Sequence, residues 1–411
     1  MPSSSPRPLA VVGGGIGGLA AALAAARAGR TVTLVERAAQ FGEIGAGLQL
    51  APNASLALDE LGVLADVQRN AVMPPRLVMM DAVSGTEVTS LDLRGSAYTE
   101  RFRHPYLVTH RTDLHAALLA ACRAEPLITL RTGLTVTRAE QDSDHVRLSF
   151  EEQDEALLSD AVIAADGLHS RLRRALTGEG DPVCSRYVAY RGAIPTERMT
   201  GRMSRAAADE AVMVWAGPAM HLVQYPVRRG ELYNQVAVFR SDSYTPDSDD
   251  WGTEAELEQC FASACDAVRD ALPLVARDRR WPLYDRPPLK QWAYGRIALL
   301  GDAAHPMLQY LAQGACQALE DATALGRALR ELPDAAEAFT TYAARRTERA
   351  GRIQTSAHLF GDLCHLDGMG ATMRNLALAH RSPADFDDLA WVWTPAPDTV
   401  AAPAVPIGVP A

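Results

Sequence analysis

Gly13, Gly14, Gly15, Gly17 and Gly18 crowd around a single isoleucine, Ile16, and within them Gly13, Gly15 and Gly18 carry the spacing G-x-G-x-x-G. In that spacing the first glycine permits a tight turn, the second lets backbone approach a pyrophosphate, and the third lets a helix pack closely on a strand. Amides at the helix start are then left aimed at the phosphates, where the helix dipole favours negative charge. Glu36 ends the next apolar run, followed by Arg37, and is placed to accept hydrogen bonds from an adenosine ribose. A carboxylate at that point repels a 2'-phosphate. Alone the fingerprint is a weak signal, with an unliganded glycine-rich turn as its bland counterpart; the strand, helix and terminal acid around it make it a dinucleotide grip. It does not separate FAD from NAD.

Three other places carry groups capable of chemistry. Asp166-Gly167 and Gly301-Asp302 each follow a short apolar run, where an ordinary strand-end turn is the plain alternative. His221, in His-Leu-Val-Gln-Tyr-Pro, brings an imidazole that titrates in the working range, against the plain reading of a strand histidine satisfied by a carbonyl.

These groups need elements to hold them. Leu9 to Val12 reads as a strand, Leu19 to Ala28 as an alanine-rich helix, and Thr31 to Glu36 as the next strand. The glycine-rich stretch from Gly42 to Asn53 is expected to be a closely packed loop without regular structure. Helical spacing runs to Ala124 from the segment that begins at Leu107, with Thr112 or Asp113 as its cap and Arg111 at its entrance. Alternation from Leu127 to Ile163 predicts antiparallel strands, and Ala161 to Ala165 a buried strand leading into Asp166. A β-rich region spans Val188 to Phe239. Ile297 to Leu300 is a further strand, and Gly314 to Leu332 and Ala335 to Gln354 are helices.

The expected fold is therefore α/β, with a Rossmann-like dinucleotide-binding part over residues 1–180 that includes inserted antiparallel strands. A β-sheet substrate domain follows at 181–285, then completion of the first domain and C-terminal helices at 286–390, and an Ala/Pro-rich tail at 391–411. Trp391 and Trp393 are expected to anchor that tail by packing.

With 48% hydrophobic residues the chain has ample material for a core, and 40 basic against 50 acidic residues give a formal charge of -10. That balance repels nucleic acid and anionic membranes. A small aromatic acid is still compatible, through a local cluster such as Arg101, Arg103 and Arg111 or Arg228 and Arg229. The six cysteines form neither a CxxC pair nor a metal-ligand spacing, so reduced thiols, no metal and a cytoplasmic location are expected. No window approaches the roughly 18 apolar residues of a membrane span.

Read together, the motifs resemble those of group A flavoprotein aromatic hydroxylases, whose fold is p-hydroxybenzoate hydroxylase-like. Ala164 to Arg171 (AADGLHSR) is similar to their Asp-Gly motif, and Leu300 to Pro306 (LGDAAHP) to their Gly-Asp motif, in which the aspartate binds the ribityl chain. The similarity covers nearly the whole chain and is strongest to the 3-hydroxybenzoate 6-hydroxylase type. It is carried by ERAAQFGEIGAGLQLAP, PYLVTHRTDLH, YRG, HLVQYP, WPLYDR and GDAAHPMLQYLAQGA. Salicylate hydroxylases commonly carry proline where Gln309 stands here.

The resemblance implies FAD as cofactor, NADH in preference to NADPH as co-substrate, and a small aromatic acid and O2 as reactants, with a homodimer as the assembly to test. It implies that Gln49 and Arg111 contact the flavin, that Asp302 holds the ribityl chain beside Pro306, and that Gly314 and Ala315 present backbone to the isoalloxazine. Asp166 and Gly167 would link flavin and nicotinamide binding. The reaction implied is para-hydroxylation of 3-hydroxybenzoate to 2,5-dihydroxybenzoate by an electrophilic flavin C4a-hydroperoxide, kept dry by the apolar loop Met307 to Leu311. A phenol with a pKa near 10 then needs a base. His221 is the candidate, with Gln309 hydrogen-bonding the same oxygen, Tyr106 and Tyr225 lining the pocket, and His305 orienting its loop. Hydroxylation of salicylate or 6-hydroxynicotinate is the alternative within the family, and a reductase or dehydrogenase that never hydroxylates the alternative outside it. A halogenase is disfavoured by the absence of a Trp-x-Trp-x-Ile-Pro segment.

Overall fold

The strand Leu9–Val12 is apolar and buried at every position because it sits inside a parallel sheet, between Val32–Glu36 and Val162–Ala164. This computed structural model describes residues 7–42, 45–199, 209–246, 248 and 250–395. Residues 43 and 44 of the glycine-rich stretch, and the tail from 396 onward, lie outside them.

The sheet has six strands in the order Ala293–Tyr294, Ile297–Leu299, Val162–Ala164, Leu9–Val12, Val32–Glu36 and Ile128–Thr132. Every neighbouring pair is parallel except the first. Ile128–Thr132 thus departs from the antiparallel expectation: alternation betrays a half-buried strand but does not name its partner. The antiparallel insertion is confined to Val136–Gln141, Val146–Phe150 and Leu157–Ser159.

The helix Ile16–Arg27 is buried from Gly18 to Ala26 because the sheet covers one side and the helix Gly314–Glu331 the other. Small side chains make that approach possible: a Cβ on Gly326 would stand 2.9 Å from the Ala24 methyl. Regular structure also replaces the loop expected between Gly42 and Asn53. Gly47–Leu50 pairs antiparallel with Leu107–His110, and Pro52 occupies the first turn of the helix Pro52–Glu60, where its missing N–H costs nothing.

A second sheet of seven strands runs in the order Arg280–Asp285, Val183–Pro195, Leu232–Arg240, Met220–Val227, Val212–Gly217, Arg76–Asp81 and Glu87–Asp92. Its two faces do different work, because successive side chains along a strand point to opposite sides. From Met220–Val227, Met220 and Leu222 join Tyr190, Phe239 and two short helices, Glu254–Cys260 and Asp266–Ala271, in a separate core. On the other face Val223, Tyr225 and Val227 pack toward the nucleotide-binding half. His221 shares that inner face.

The helix Ala335–Cys364 continues ten residues past the expected end at Gln354, and Gly368–Ala379 and Asp387–Trp393 follow. Asp334 caps the first by accepting from the amides of Ala336 and Glu337. Trp393 packs on Phe102 and Tyr106, ring centroids 5.4 Å away in each case; the tail that the tryptophan pair is expected to anchor lies outside the described residues from 396 on. The expected α/β architecture, with its second β-sheet and C-terminal helices, is present.

Candidate active site

The glycine turn is sterically committed. Gly13 has φ +109°, and a Cβ there would lie 2.3 Å from the carbonyl oxygen of Ala165; one on Gly18 would lie 1.9 Å from that of Gly13. Gly15 caps the helix Ile16–Arg27 without any side-chain hydrogen bond, so the first amides are left to a ligand. Glu36 accepts from the Gly14 amide at 2.6 Å and from the Ala38 amide at 2.8 Å, which fixes its carboxylate at the mouth of the turn. Arg37 beside it is exposed. A buttress escaped the sequence reading: buried His115 donates from Nε2 to the Gly14 carbonyl at 2.8 Å. Its signal was present in the quoted run PYLVTHRTDLH, on the helix Arg111–Ala124 that packs against the glycine helix.

At the ends of neighbouring strands stand the other two acids. Asp166 accepts from Ser170 Oγ at 2.5 Å and from the Leu172 amide at 3.3 Å, just before Gly167 at φ +79°. Desolvation raises its carboxyl above the ordinary aspartate range, and those hydrogen bonds pull it partly back. Asp302 is exposed, next to Gly301 at φ +61°.

The Gly301 loop is gripped from below. Buried Asp321 takes the Gly301 amide at 3.1 Å and His305 Nε2 at 2.5 Å on one oxygen, and Arg346 Nε at 2.8 Å on the other. Arg346 also donates to Glu320 at 2.6 Å and to Gln317 at 2.6 Å. Burial alone would raise both acids, but His305 and Arg346 beside Asp321, and Arg346 and Arg349 beside Glu320, hold them down near about 2. His305 therefore orients its loop. Pro306 is buried and its carbonyl accepts from Gln354 at 2.6 Å. Beyond it the helix Gly314–Glu331 begins without a side-chain cap, and a Cβ on Gly314 would meet nothing within 4 Å. Gly314 and Ala315 thus present backbone on an open side.

Gln49 lies on the strand Gly47–Leu50 and Tyr106 immediately precedes its partner Leu107–His110, the tyrosine hydroxyl donating to Gln49 Oε1 at 2.7 Å. Arg111 starts its helix with its amide bonded to the Ala46 carbonyl at 2.8 Å. His110 is the capping position and supplies no side-chain cap, so Thr112 and Asp113 fall inside the first turn instead. Asp113 there holds Arg228 through two contacts of 2.9 and 3.0 Å, Arg229 pairs with Glu231, and Arg101 with Asp387. Arg101, Arg228 and Arg229 thus each have an acid partner, which lessens the positive charge they offer an anion.

His221 and Tyr225 stand four residues apart on the inner face, roughly 13 Å of strand. Tyr225 packs beneath Gly47, whose Cβ would sit 2.5 Å from its ring, and burial raises its phenol and that of Tyr106. His221 is 3% exposed. Its Nδ1 is hydrogen-bonded to Nε2 of His365 at 2.8 Å, and Tyr310 lies edge-on at 5.4 Å between ring centroids. Burial, then the neighbouring His365, puts its pKa well below the ordinary histidine value, so the ring is neutral at pH 7. Through Tyr310 the histidine is joined to the loop that carries partly exposed Gln309. Sequence reading missed His365, because it ended the long helix ten residues early; the apolar positions Ala357, Gly361 and Cys364 continue the helical spacing up to it.

Uncapped helix start, methyl-intolerant turn, a carboxylate fixed at its mouth and an exposed strand-end aspartate fit a flavin dinucleotide. The family described as "FAD binding domain" matches residues 7–357. A 3-hydroxybenzoate 6-hydroxylase of Klebsiella oxytoca is 39% identical over 92% of this chain and 93% of its own. A 6-hydroxynicotinate 3-monooxygenase of Bordetella bronchiseptica is 36% identical over 85% of this chain and 90% of its own. Among solved structures, HpxO of Klebsiella pneumoniae complexed with FAD and uric acid superposes with a TM-score of 0.81 at 25% identity, covering 93% of this chain and 95% of that one.

Proposed function

The chain belongs to the FAD binding domain family of flavoprotein hydroxylases, and from that premise we propose that it is the monooxygenase that converts 3-hydroxybenzoate to 2,5-dihydroxybenzoate with NADH and O2. FAD dependence and aromatic hydroxylation come with the family; substrate and regiochemistry are our reading.

In that reading Gly13, Gly15, Gly18 and Glu36 hold the ADP half of FAD, with Arg37 at its edge. Gln49, Arg111, Asp302, Pro306, Gly314 and Ala315 hold the ribityl and ring half, and Asp166 and Gly167 face the nicotinamide coenzyme. When bound and reduced, the flavin supplies activated oxygen. The chain's own residues prepare the ring that receives it.

One observation carries the reading: the imidazole of His221, buried on the same sheet face as Tyr225 and packed against Tyr310, the neighbour of Gln309. With Nδ1 engaged by His365, its Nε2 is the nitrogen left to take the phenolic proton. Loss of that proton enriches the ring para to the oxygen, at C6 of 3-hydroxybenzoate. Gln309 donates its amide to the phenolate, and Tyr106 and Tyr225 line the pocket. Buried Leu308, in the Met307 to Leu311 loop, helps exclude water.

The deciding experiment is a panel of 3-hydroxybenzoate, salicylate and 6-hydroxynicotinate, scored by product identity and oxygen uptake, with His221→Ala and Gln309→Ala followed across pH. His221→Ala should lower hydroxylation by about 10²–10⁴-fold. An unchanged rate and pH profile would remove the base assignment, and NADH oxidation without any hydroxylated product would favour a reductase. We also place the protein in the cytoplasm on its free thiols. A homodimer would cover Met369, Met373 and Leu376, which are 75, 65 and 63% exposed on one helix; sedimentation tests it.

A further inference from the structure

We propose that His365 is the second station of a proton relay, receiving through His221 the proton that the phenol loses and delivering it to water. This rests on the reading of His221 as the base.

The geometry is that of a two-ring wire with one dry and one wet end. His221 is buried; His365, whose Nε2 it meets at 2.8 Å, is only partly so. Three contacts fix the second ring and its backbone. Tyr187 stacks on it with centroids 4.4 Å apart and planes 15° apart, and Tyr310 meets it edge-on at 5.3 Å. The His365 carbonyl accepts the Ala219 amide at 3.2 Å, which ties it to the hairpin that carries His221. Stacking leaves the in-plane nitrogens as the ring's polar contacts: Nε2 toward His221 and Nδ1 away from it.

A carboxylate behind a catalytic histidine stabilises the imidazolium, whereas an imidazole in that place has a lone pair to take a proton and a second N–H to give one up. The charged neighbours point the same way. Arg240 from the adjoining strand and Arg374 from the helix Gly368–Ala379 both disfavour a cation on His365, and burial, the largest influence, helps push it to about 4. Three acids lie around this group: exposed Asp362 on the helix preceding it, Asp242, which pairs with Arg240 at 3.3 Å, and Asp81, which meets Arg374 at 3.4 Å; neither pairing reverses the effect of its arginine on the ring, and Tyr187, Tyr310 and Cys364 are neutral at pH 7. A proton from a phenol with a pKa near 10 has no stable resting place on such rings, so it must move through them.

The step balances without any redox partner. The phenol O–H breaks as a proton binds His221 Nε2; the His221 Nδ1 proton moves to His365 Nε2; the His365 Nδ1 proton leaves to water. Both rings end neutral with exchanged tautomers, and one phenolate and one released proton are the net products.

The test uses the full-length, FAD-loaded, oxidised enzyme mixed rapidly with 3-hydroxybenzoate in weak buffer containing a pH indicator, so that proton release is read apart from turnover. Wild type should release its proton fast. His365→Asn, which keeps a polar partner for His221 but has no second proton to pass, should release it at least about tenfold more slowly. His365→Ala should be equally slow and recover in proportion to added imidazole, while His221→Ala releases none. FAD content serves as the folding check, with His365→Gln as the reserve variant. Wild-type speed in His365→Asn alongside silence in His221→Ala would overturn the relay and leave the base standing. Slow His365→Ala without imidazole rescue would make His365 merely structural and also overturn it. Wild-type release from His221→Ala, or none from wild type, would overturn the base and the relay together.

Discussion

The ring of Tyr310 packs so tightly on the backbone of Gly361 that a Cβ there would lie 2.4 Å from two ring carbons. Gly361 belongs to the helix Ala335–Cys364, and Tyr310 to the loop beside His221. Replacing Gly361 with alanine gains about 1 kcal/mol of helix propensity and costs about 1–3 kcal/mol in overpacking. Global stability should therefore change little or fall slightly while Tyr310 is displaced. The expected signature is retained FAD with less hydroxylated product per NADH consumed; unchanged coupling would show that the contact is dispensable.

The glycine turn gives a sharper expectation. A Cβ on Gly18 meets a backbone oxygen 1.9 Å away, which no side-chain rotation can relieve. Gly18→Ala should purify without yellow colour and bind FAD about 100-fold more weakly, equivalent to about 3 kcal/mol. Gly42→Ala, with nothing within 4 Å, should bind as wild type. Flavin absorbance and titration of the apoprotein measure both.

Beneath the Gly301 loop, Arg346 neutralises Glu320 and Asp321 inside the protein. Arg346→Met leaves Glu320 with Arg349 alone and Asp321 with His305 alone, so that buried negative charge is left in excess, and should cost about 3–5 kcal/mol in thermal or urea unfolding. Adding Glu320→Gln and Asp321→Asn should recover part of that loss, because the penalty lies in the excess charge. A single variant as stable as wild type would mean that water reaches the network.

Acid stability should carry the mark of the histidine pair. Their folded pKa values lie below the unfolded value near 6.5, so their contribution is complete above that pH and is lost as pH falls toward about 4 for His365. His358 has the opposite sign, raised chiefly by its hydrogen bond to Asp285, but its contribution is already full below the unfolded value. Glu320 and Asp321, near about 2, add their losses below about 4. Between pH 6.5 and 4.5 the thermal midpoint should therefore fall more steeply in wild type than in His365→Asn. Parallel slopes would count against buried, neutral rings.

Much of the nucleotide-binding half was legible because its determinants are local. Gly13, Gly15, Gly18 and Glu36 sit within one strand-turn-helix-strand unit, where a backbone requirement selects a residue type directly. Strand partners were not legible in the same way: Ile128–Thr132 alternates as an antiparallel strand would, yet pairs parallel with Val32–Glu36. The acid partner of Arg228 was hidden for a related reason, since Asp113 and Arg228 are 115 positions apart in sequence and 2.9 Å apart in space. His365 was hidden by a helix read too short, and its meaning depends on His221, 144 positions earlier. Pairings of that kind carry no local signature.

The central sheet interleaves Leu9–Val12, Val162–Ala164 and Ile297–Leu299, and the helix that starts at Gly314 lies over the glycine turn's own helix. A growing polypeptide therefore exposes its phosphate-directed amides early yet lacks the walls that complete the cradle until its final quarter is made. Cofactor capture belongs to the end of synthesis, and a chain halted near residue 290 should emerge from the ribosome unable to retain flavin, even with every glycine in place.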